Sequence, residues 1–177
     1  AFGWAIGNLF REHNLPMSLT PQLLLSAYSQ GVFPMAHPDE ENAIYWYDPN
    51  PRTIIPLENF TIPRRLARTV RSGKYTIASD TAFEAVMRAC ANRFDTWISE
   101  EIITAYTALH HLGFAHSVEC YFQGQLVGGL YGVAIGGLFA GESMFSIMTD
   151  TSKVALVHLA NGLRAGGYQL LDVQFSN

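Results

Sequence analysis

The pattern of apolar and polar positions divides the chain into a mainly helical first part and a strand-rich middle. Thr20 reads as an N-cap with Pro21 at the first helical position, and Leu23, Leu24, Ala27 and Tyr28 then follow helical spacing up to Gly31. Val32-Phe33-Pro34-Met35 leads into a loop rich in Pro, Asp and Glu over 36–42. The aromatic run Ile44-Tyr45-Trp46-Tyr47 predicts a short strand, cut off by Asp48-Pro49-Asn50-Pro51, where a domain boundary is expected. Pro63 opens a helix over 63–72 with Gly73 as its stop, and 74–79 reads as a strand. Asp80 is the expected cap of a helix to Ala91, with Phe83, Val86, Met87 and Cys90 along one face. Ser99 caps another helix through Leu112, ended by Gly113.

Beyond Gly113 the period shortens. Residues 116–122 and 125–135 read as strands joined by a Gln123-Gly124 turn, and 138–142 as a third strand after a primed Gly136-Gly137 turn. Asp150 or Thr151 starts a long helix through Arg164, closed by Gly166-Gly167, and 168–174 is the last strand. This order predicts an α+β architecture, with a small N-terminal domain over 1–50 and a second domain over 51–177. By analogy, it also suits the acyltransferase fold of the GNAT N-acetyltransferases.

Composition narrows the classes. Hydrophobic residues make up 49% of the chain and charged ones 15%, enough apolar surface for a core and too much for disorder. The net charge of −4 points to no polyanion partner by itself, so any nucleic-acid contact must come from a local basic patch. Cys90 and Cys120 form neither a CxxC nor a metal pattern, and reduced core thiols in a cytoplasmic protein are expected. The longest apolar run, 126–140, is interrupted by five glycines and is too short to span a bilayer, so no membrane association is expected. The first residues lack a basic stretch followed by an apolar one, so no signal peptide is expected, and the ends at Ala1 and Asn177 suggest trimming at both termini.

Four groups of residues could carry chemistry. Arg64, Arg65, Arg68, Arg71 and Lys74 lie close together, with no acid between Glu58 and Asp80. Arg64, Arg68 and Arg71 share a helix face that Lys74 extends, a stripe suited to phosphates, although spacing alone leaves an ordinary solvated face slightly ahead. The glycines from Gly128 to Gly141 suggest bulges or close approach of a ligand to backbone, but form neither a dinucleotide loop nor a P-loop. Glu142, at a strand end, is costly if buried unpaired and unremarkable if exposed. Asp172 and Gln174 project together from the last strand; they can hold an amine or simply lean into solvent. The histidines are scattered or adjacent, no metal site is expected, and no Ser-His-Asp or Cys-His arrangement argues for a covalent hydrolase.

Taken together, these stretches resemble the leucyl/phenylalanyl-tRNA–protein transferase family. The resemblance rests on Ala27-Tyr28, Gly31-Val32-Phe33-Pro34, Asp48-Pro49-Asn50-Pro51-Arg52, Thr96-Trp97-Ile98 and His116-Ser117-Val118-Glu119. It continues through Leu126-Val127-Gly128-Gly129-Leu130-Tyr131-Gly132, Leu138 to Ser146, Ser152-Lys153 and Leu171-Asp172-Val173-Gln174, and spans roughly residues 20 to 177 in unbroken order.

The resemblance implies a small N-terminal domain on a GNAT-like catalytic domain, acting as a monomer without acyl-CoA, other cofactor or metal. The donors would be Leu-tRNA and Phe-tRNA. The acceptors would be proteins beginning with Arg or Lys, marked in this way for N-degron (N-end rule) degradation. Leu130, Phe139, Met144, Ser146, Leu156, Leu159, Leu163 and Leu171 would form the pocket for the transferred Leu, Phe or Met side chain. Trp97 would stack on the terminal adenosine of the tRNA, with Met35 standing where many members have a second tryptophan, and the arginine helix would grip tRNA phosphates. Asp172 would draw the proton from the attacking amine, directly or through Gln174, while Glu142 orients the amines or holds Gln174. A role for Asp172 in orientation alone, with a ribose hydroxyl relaying the proton, stays open, as does attraction of the acceptor's cationic side chain by Glu142 and Asp172.

Two other readings compete. An acyl-CoA N-acetyltransferase needs a glycine loop at a helix start, whereas Arg164-Ala165-Gly166-Gly167 falls at a helix end. A non-catalytic tRNA-binding module would keep the arginines and Trp97 without needing Glu142, Asp172 and Gln174.

Overall fold

The computed structural model describes residues 18–175. The expectations about a signal segment and about the first residues of the N-terminal domain lie outside that range. Among the described residues, helix α1 (Pro21–Ser29) starts as expected, with the Thr20 hydroxyl accepting from the Leu23 N–H. Strands β1 (Phe33–His37) and β2 (Ala43–Tyr47) form an antiparallel hairpin. β1 was expected to be loop. Pro34 lacks a ladder donor and burial along β1 does not alternate, so only pairing with β2 reveals the strand.

The main sheet has six strands in the order β3-β8-β7-β6-β5-β4. They are β3 (Thr53–Pro56), β4 (Thr76–Ser79), β5 (Ala115–Phe122), β6 (Gln125–Ile135), β7 (Leu138–Ser146) and β8 (Leu170–Gln174). All neighbours pair antiparallel except β7 and β8, which run parallel. β3, unexpected from sequence, is an edge strand ending in Pro56, where a missing donor is tolerated.

Helices cover both faces. α3 (Phe83–Ala91) and α4 (Glu100–His111) pack on one face with α1 and the hairpin, burying Leu24, Phe33, Met87, Ile102, Leu109 and Tyr131. α5 (Thr151–Ala165) covers the other, against Leu130, Phe139 and Leu171, and α2 (Arg64–Arg71) lies on α5. This is a mixed α+β fold with five α-helices among the described residues. Within them no helix is long and apolar enough to cross a membrane.

Asp80 does not cap α3. It adopts a left-handed conformation and its carboxylate accepts the Ser117 N–H at 2.9 Å while pairing with His116 Nδ1 at 2.8 Å. The glycines of β6 answer to packing: a Cβ on Gly128 would stand 2.3 Å from Thr151 Oγ1 of α5, and one on Gly132 2.2 Å from the Ala140 carbonyl oxygen.

Candidate active site

The parallel pairing of β7 with β8 ends at Ala140 opposite Asp172. Beyond it each strand carries an extra residue. Gly132 pairs with Gly141 and Tyr131 with Ser143, so Glu142 has no partner on β6; Thr53 pairs with Gln174 and Ile54 with Asp172, so Val173 has none on β3. Bulges bend strands and re-aim side chains. Here they open a cavity of about 590 Å³ between the two diverging strands. β7 therefore runs on to Ser146, and Glu142 sits at its middle rather than at its end.

The floor of the cavity is apolar. Leu130, Met144, Leu156, Leu159 and Leu171 line it, as the resemblance implied. Three expected pocket residues do not. Phe139 and Leu163 are buried in the core behind it, and the Ser146 hydroxyl is spent locally, donating to the Met148 carbonyl and pairing with Thr151 Oγ1 at 2.9 Å each. Trp97 and Met35 both reach the lining from separate segments. The Ala36 N–H donates to the Trp97 carbonyl at 3.0 Å and ties the hairpin to the loop after α3.

The polar wall is a chain of hydrogen bonds. The Gln174 amide donates to Glu142 Oε1 at 2.9 Å, and the Tyr28 hydroxyl donates to the same oxygen. The Tyr28 and Tyr106 hydroxyls lie 2.5 Å apart. Glu142 Oε2 and the Tyr131 hydroxyl are sealed from solvent and have no hydrogen-bond partner among the described residues, and both residues line the cavity. Burial pushes the Glu142 carboxyl up to about 8, helped by the nearby Asp172 charge and opposed by the Tyr28 and Gln174 hydrogen bonds and by Arg52.

Asp172 is placed differently from the expectation. It is buried and does not reach the cavity. Its Oδ2 accepts from Arg52 Nε at 2.9 Å and Nη2 at 2.6 Å, and its Oδ1 accepts the Gln174 N–H at 2.9 Å. With both oxygens engaged, direct proton abstraction by Asp172 is blocked, and its charge is committed to Arg52 rather than free for an acceptor's cation. Arg52 also donates to the Gly31 carbonyl at the end of α1, which links the N-terminal segment to β8. Sequence reasoning gave Tyr28, Tyr106 and Arg52 no role; Tyr28 and Arg52 stood inside the stretches that carried the resemblance.

The arginine helix forms as expected but lies outside the cavity lining. Arg65 is neutralised after all, by Asp150 at 2.9 Å, an acid distant in sequence. Arg64, Arg68 and Arg71 make no ion pair among the described residues. The Lys74 ammonium stands 5.0 Å from the Tyr75 ring centroid. No group of three or more His, Cys, Asp and Glu among the described residues could hold a metal ion. α5 ends at Ala165, so Arg164-Ala165-Gly166-Gly167 presents helix carbonyls, the wrong end for a pyrophosphate.

The family model for leucyl/phenylalanyl-tRNA protein transferase matches residues 54–177, and the model for its N-terminal domain matches residues 17–50. The chain belongs to that family. It is 58% identical over 161 residues to the leucyl/phenylalanyl-tRNA–protein transferase of Paramagnetospirillum magneticum, covering 89% of this chain and 77% of the relative. The transferase of Herpetosiphon aurantiacus is also 58% identical, over 158 residues, covering 89% of this chain and 81% of the relative. A solved structure of a conserved protein of unknown function from Bacteroides thetaiotaomicron shares the fold at a TM-score of 0.51 and 11% identity, over 70% of this chain and 49% of that one. As a member of this transferase family, the chain is an aminoacyltransferase, an enzyme that moves an aminoacyl group from tRNA to protein.

Proposed function

We propose that the enzyme takes Leu or Phe from Leu-tRNA or Phe-tRNA and joins it to the α-amine of proteins beginning with Arg or Lys, in the cytoplasm, marking them for N-degron degradation. One observation carries the reading: a single cavity combines an aliphatic floor, the Glu142–Gln174 pair and the Trp97–Met35 rim. An aminoacyl-adenosine has three matching parts, an apolar side chain, a reactive ester and an aromatic base.

The side chain enters among Leu130, Leu156, Leu159 and Leu171, where steric fit separates Leu and Phe from β-branched shapes by about 1–3 kcal/mol. The adenine packs on Trp97 with Met35 alongside, and Arg64, Arg68 and Arg71 hold phosphates further along the tRNA. The acceptor's amine then attacks the ester carbonyl. The C–N bond forms, the C–O bond to ribose breaks, and the ribose oxygen leaves with a proton.

Glu142 is the group best matched to the amine's proton. Its carboxyl, at about 8, sits beside the ordinary α-amine range of about 7.7–8.0, so transfer between them is nearly balanced in energy. Its free Oε2 faces the cavity while Oε1 is held by Gln174 and Tyr28. Gln174 orients the amine, and Asp172, pinned by Arg52, fixes the backbone from which Gln174 projects. Much of the rate comes from positioning, because the ester is already activated.

In this reading residues 1–50 are a small domain seated on a GNAT-like catalytic domain over 51–177 that acts as a monomer. The adjoining family matches and the parallel strands that diverge at the site support it. The test is direct. The protein is mixed with radiolabelled Leu-tRNA and a peptide beginning with Arg, with labelled acetyl-CoA as the control donor. Label should reach the peptide from Leu-tRNA alone. Transfer from acetyl-CoA would favour the N-acetyltransferase instead, and tRNA binding without transfer the binding module.

A further inference from the structure

Between the last turn of α3 and Trp97 runs a short loop that the reading above leaves without a task. The Arg93 N–H donates to the Ala91 carbonyl at 2.8 Å, and the Ile98 N–H to the Thr96 hydroxyl at 3.2 Å, so the loop is pinned at both ends. Arg93 is exposed, lines the cavity, and makes no ion pair among the described residues. The cavity wall also includes Tyr131, whose hydroxyl is buried without a partner and close enough to Arg93 to feel its charge. A cation and an unpartnered hydroxyl on one wall suit an anion with several acceptor oxygens. Next to Arg93, Phe94 stands 107% exposed, its ring bare to solvent three residues before Trp97.

We propose that Arg93, Tyr131 and Phe94 form a second nucleotide subsite, with Arg93 and the Tyr131 hydroxyl holding the phosphate that joins the terminal adenosine to the preceding nucleotide and Phe94 stacking on that nucleotide's base. The proposal rests on the assignment of the Trp97 rim to the terminal adenosine. The geometry of a single strand requires it: the 5′-phosphate lies one ribose from the adenine, and the next base follows directly. A pinned loop carrying a cation, then an aromatic ring, then the adenine platform follows that order. Stacking on an exposed aromatic tolerates any base, so the subsite reads a single-stranded end rather than a sequence.

Two leucyl esters test it, one of adenosine and one of cytidylyl-adenosine, with an Arg-initiated peptide as acceptor. The readout is the ratio of kcat/KM for the dinucleotide ester over the adenosine ester. In the unaltered protein the ratio should be about tenfold or more, the range of one stacked base. Phe94→Ala and Arg93→Ala should each bring it most of the way to unity. Tyr131→Phe, which removes only an unpartnered hydroxyl, should lower it without changing the urea midpoint. A ratio of one in the unaltered protein, or a high ratio that Phe94→Ala and Arg93→Ala leave in place, overturns the subsite while the transferase reading stands. No transfer from either ester or from Leu-tRNA overturns both.

Discussion

Two glutamates of one sheet, Glu119 on β5 and Glu142 on β7, have been put to opposite uses. Glu119 is fully buried and in register, opposite Gly129. Its Oε1 accepts from the Ser117 hydroxyl at 2.5 Å, and its Oε2 from the Thr81 hydroxyl at 2.9 Å and the Thr81 N–H at 3.3 Å. Both oxygens are satisfied by protein donors, and no described cavity adjoins it. Glu142 is out of register, has one oxygen satisfied and the other open, and faces the largest described cavity. A carboxylate with every lone pair engaged holds the fold together; one left half-satisfied in a dry cavity is available to a substrate. Asp172 belongs with Glu119 by this criterion, since Arg52 and a backbone N–H occupy both its oxygens.

The sharpest way to break the comparison is to strip a satisfied acid of its partner. Arg52→Ala leaves the Asp172 charge buried and unpaired and should cost about 3–5 kcal/mol in urea unfolding. Arg52→Lys should recover only part of that, because an ammonium cannot reproduce the fork on one oxygen. A loss of less than 1 kcal/mol would show that Asp172 does not depend on Arg52.

Glu142→Gln keeps an oxygen to accept from Gln174 and Tyr28 but can neither take nor give up a proton. Single-turnover transfer should fall about a hundredfold or more, with Leu-tRNA binding intact. Stability should respond with a defined sign. The folded carboxyl holds its proton up to about 8, whereas the unfolded one loses it near 4.5. Between these values the folded chain binds one more proton, so the stability due to this group is full below 4.5 and declines as pH rises through 8. Unfolding curves at pH 5 and pH 9 should therefore show Glu142→Gln gaining on the unaltered protein at the higher pH. Parallel curves would mean that Glu142 is ionised throughout.

Glu119→Ala should act on stability alone. Stranding the Ser117 and Thr81 donors costs about 1–3 kcal/mol, while the rate per folded molecule stays unchanged. A matching loss of rate would place Glu119 in the chemistry. Leu159→Phe, which fills the cavity beside Glu142 without touching its hydrogen bonds, should give the smallest effect. It should lower kcat/KM for Phe-tRNA relative to Leu-tRNA by about tenfold.

Most helices were legible because their signals are local. Thr20 with Pro21 and Ser99 before an apolar-periodic run mark starts that the structure keeps. The β5–β6–β7 meander was legible from alternation and its turns, with Gln123, Gly124 and Gly136 all at positive φ. β1 and β3 escaped because each contains a proline and owes its pairing to a distant strand or a hairpin partner. In the site, Glu142, Gln174, Trp97 and five of the pocket residues could be named from the resemblance, whereas Phe139 and Leu163 could not be told from floor residues, since spacing marks an apolar face but not its depth. Arg52 and Tyr28 lie 120 and 114 residues from the acids they contact, beyond the reach of any local pattern.

By itself, then, the chain's order of residues determined what depends on neighbours: helix caps, primed turns, strand alternation and the family's short motifs. Tertiary structure decided what depends on register and burial. It placed the bulge that aims Glu142 into the cavity, the ion pair that withdraws Asp172 from it, and the desolvation that holds one carboxyl near neutrality. The physical reason is that the free energy of a charge depends on its surroundings in three dimensions, and those are assembled from segments that sequence keeps far apart.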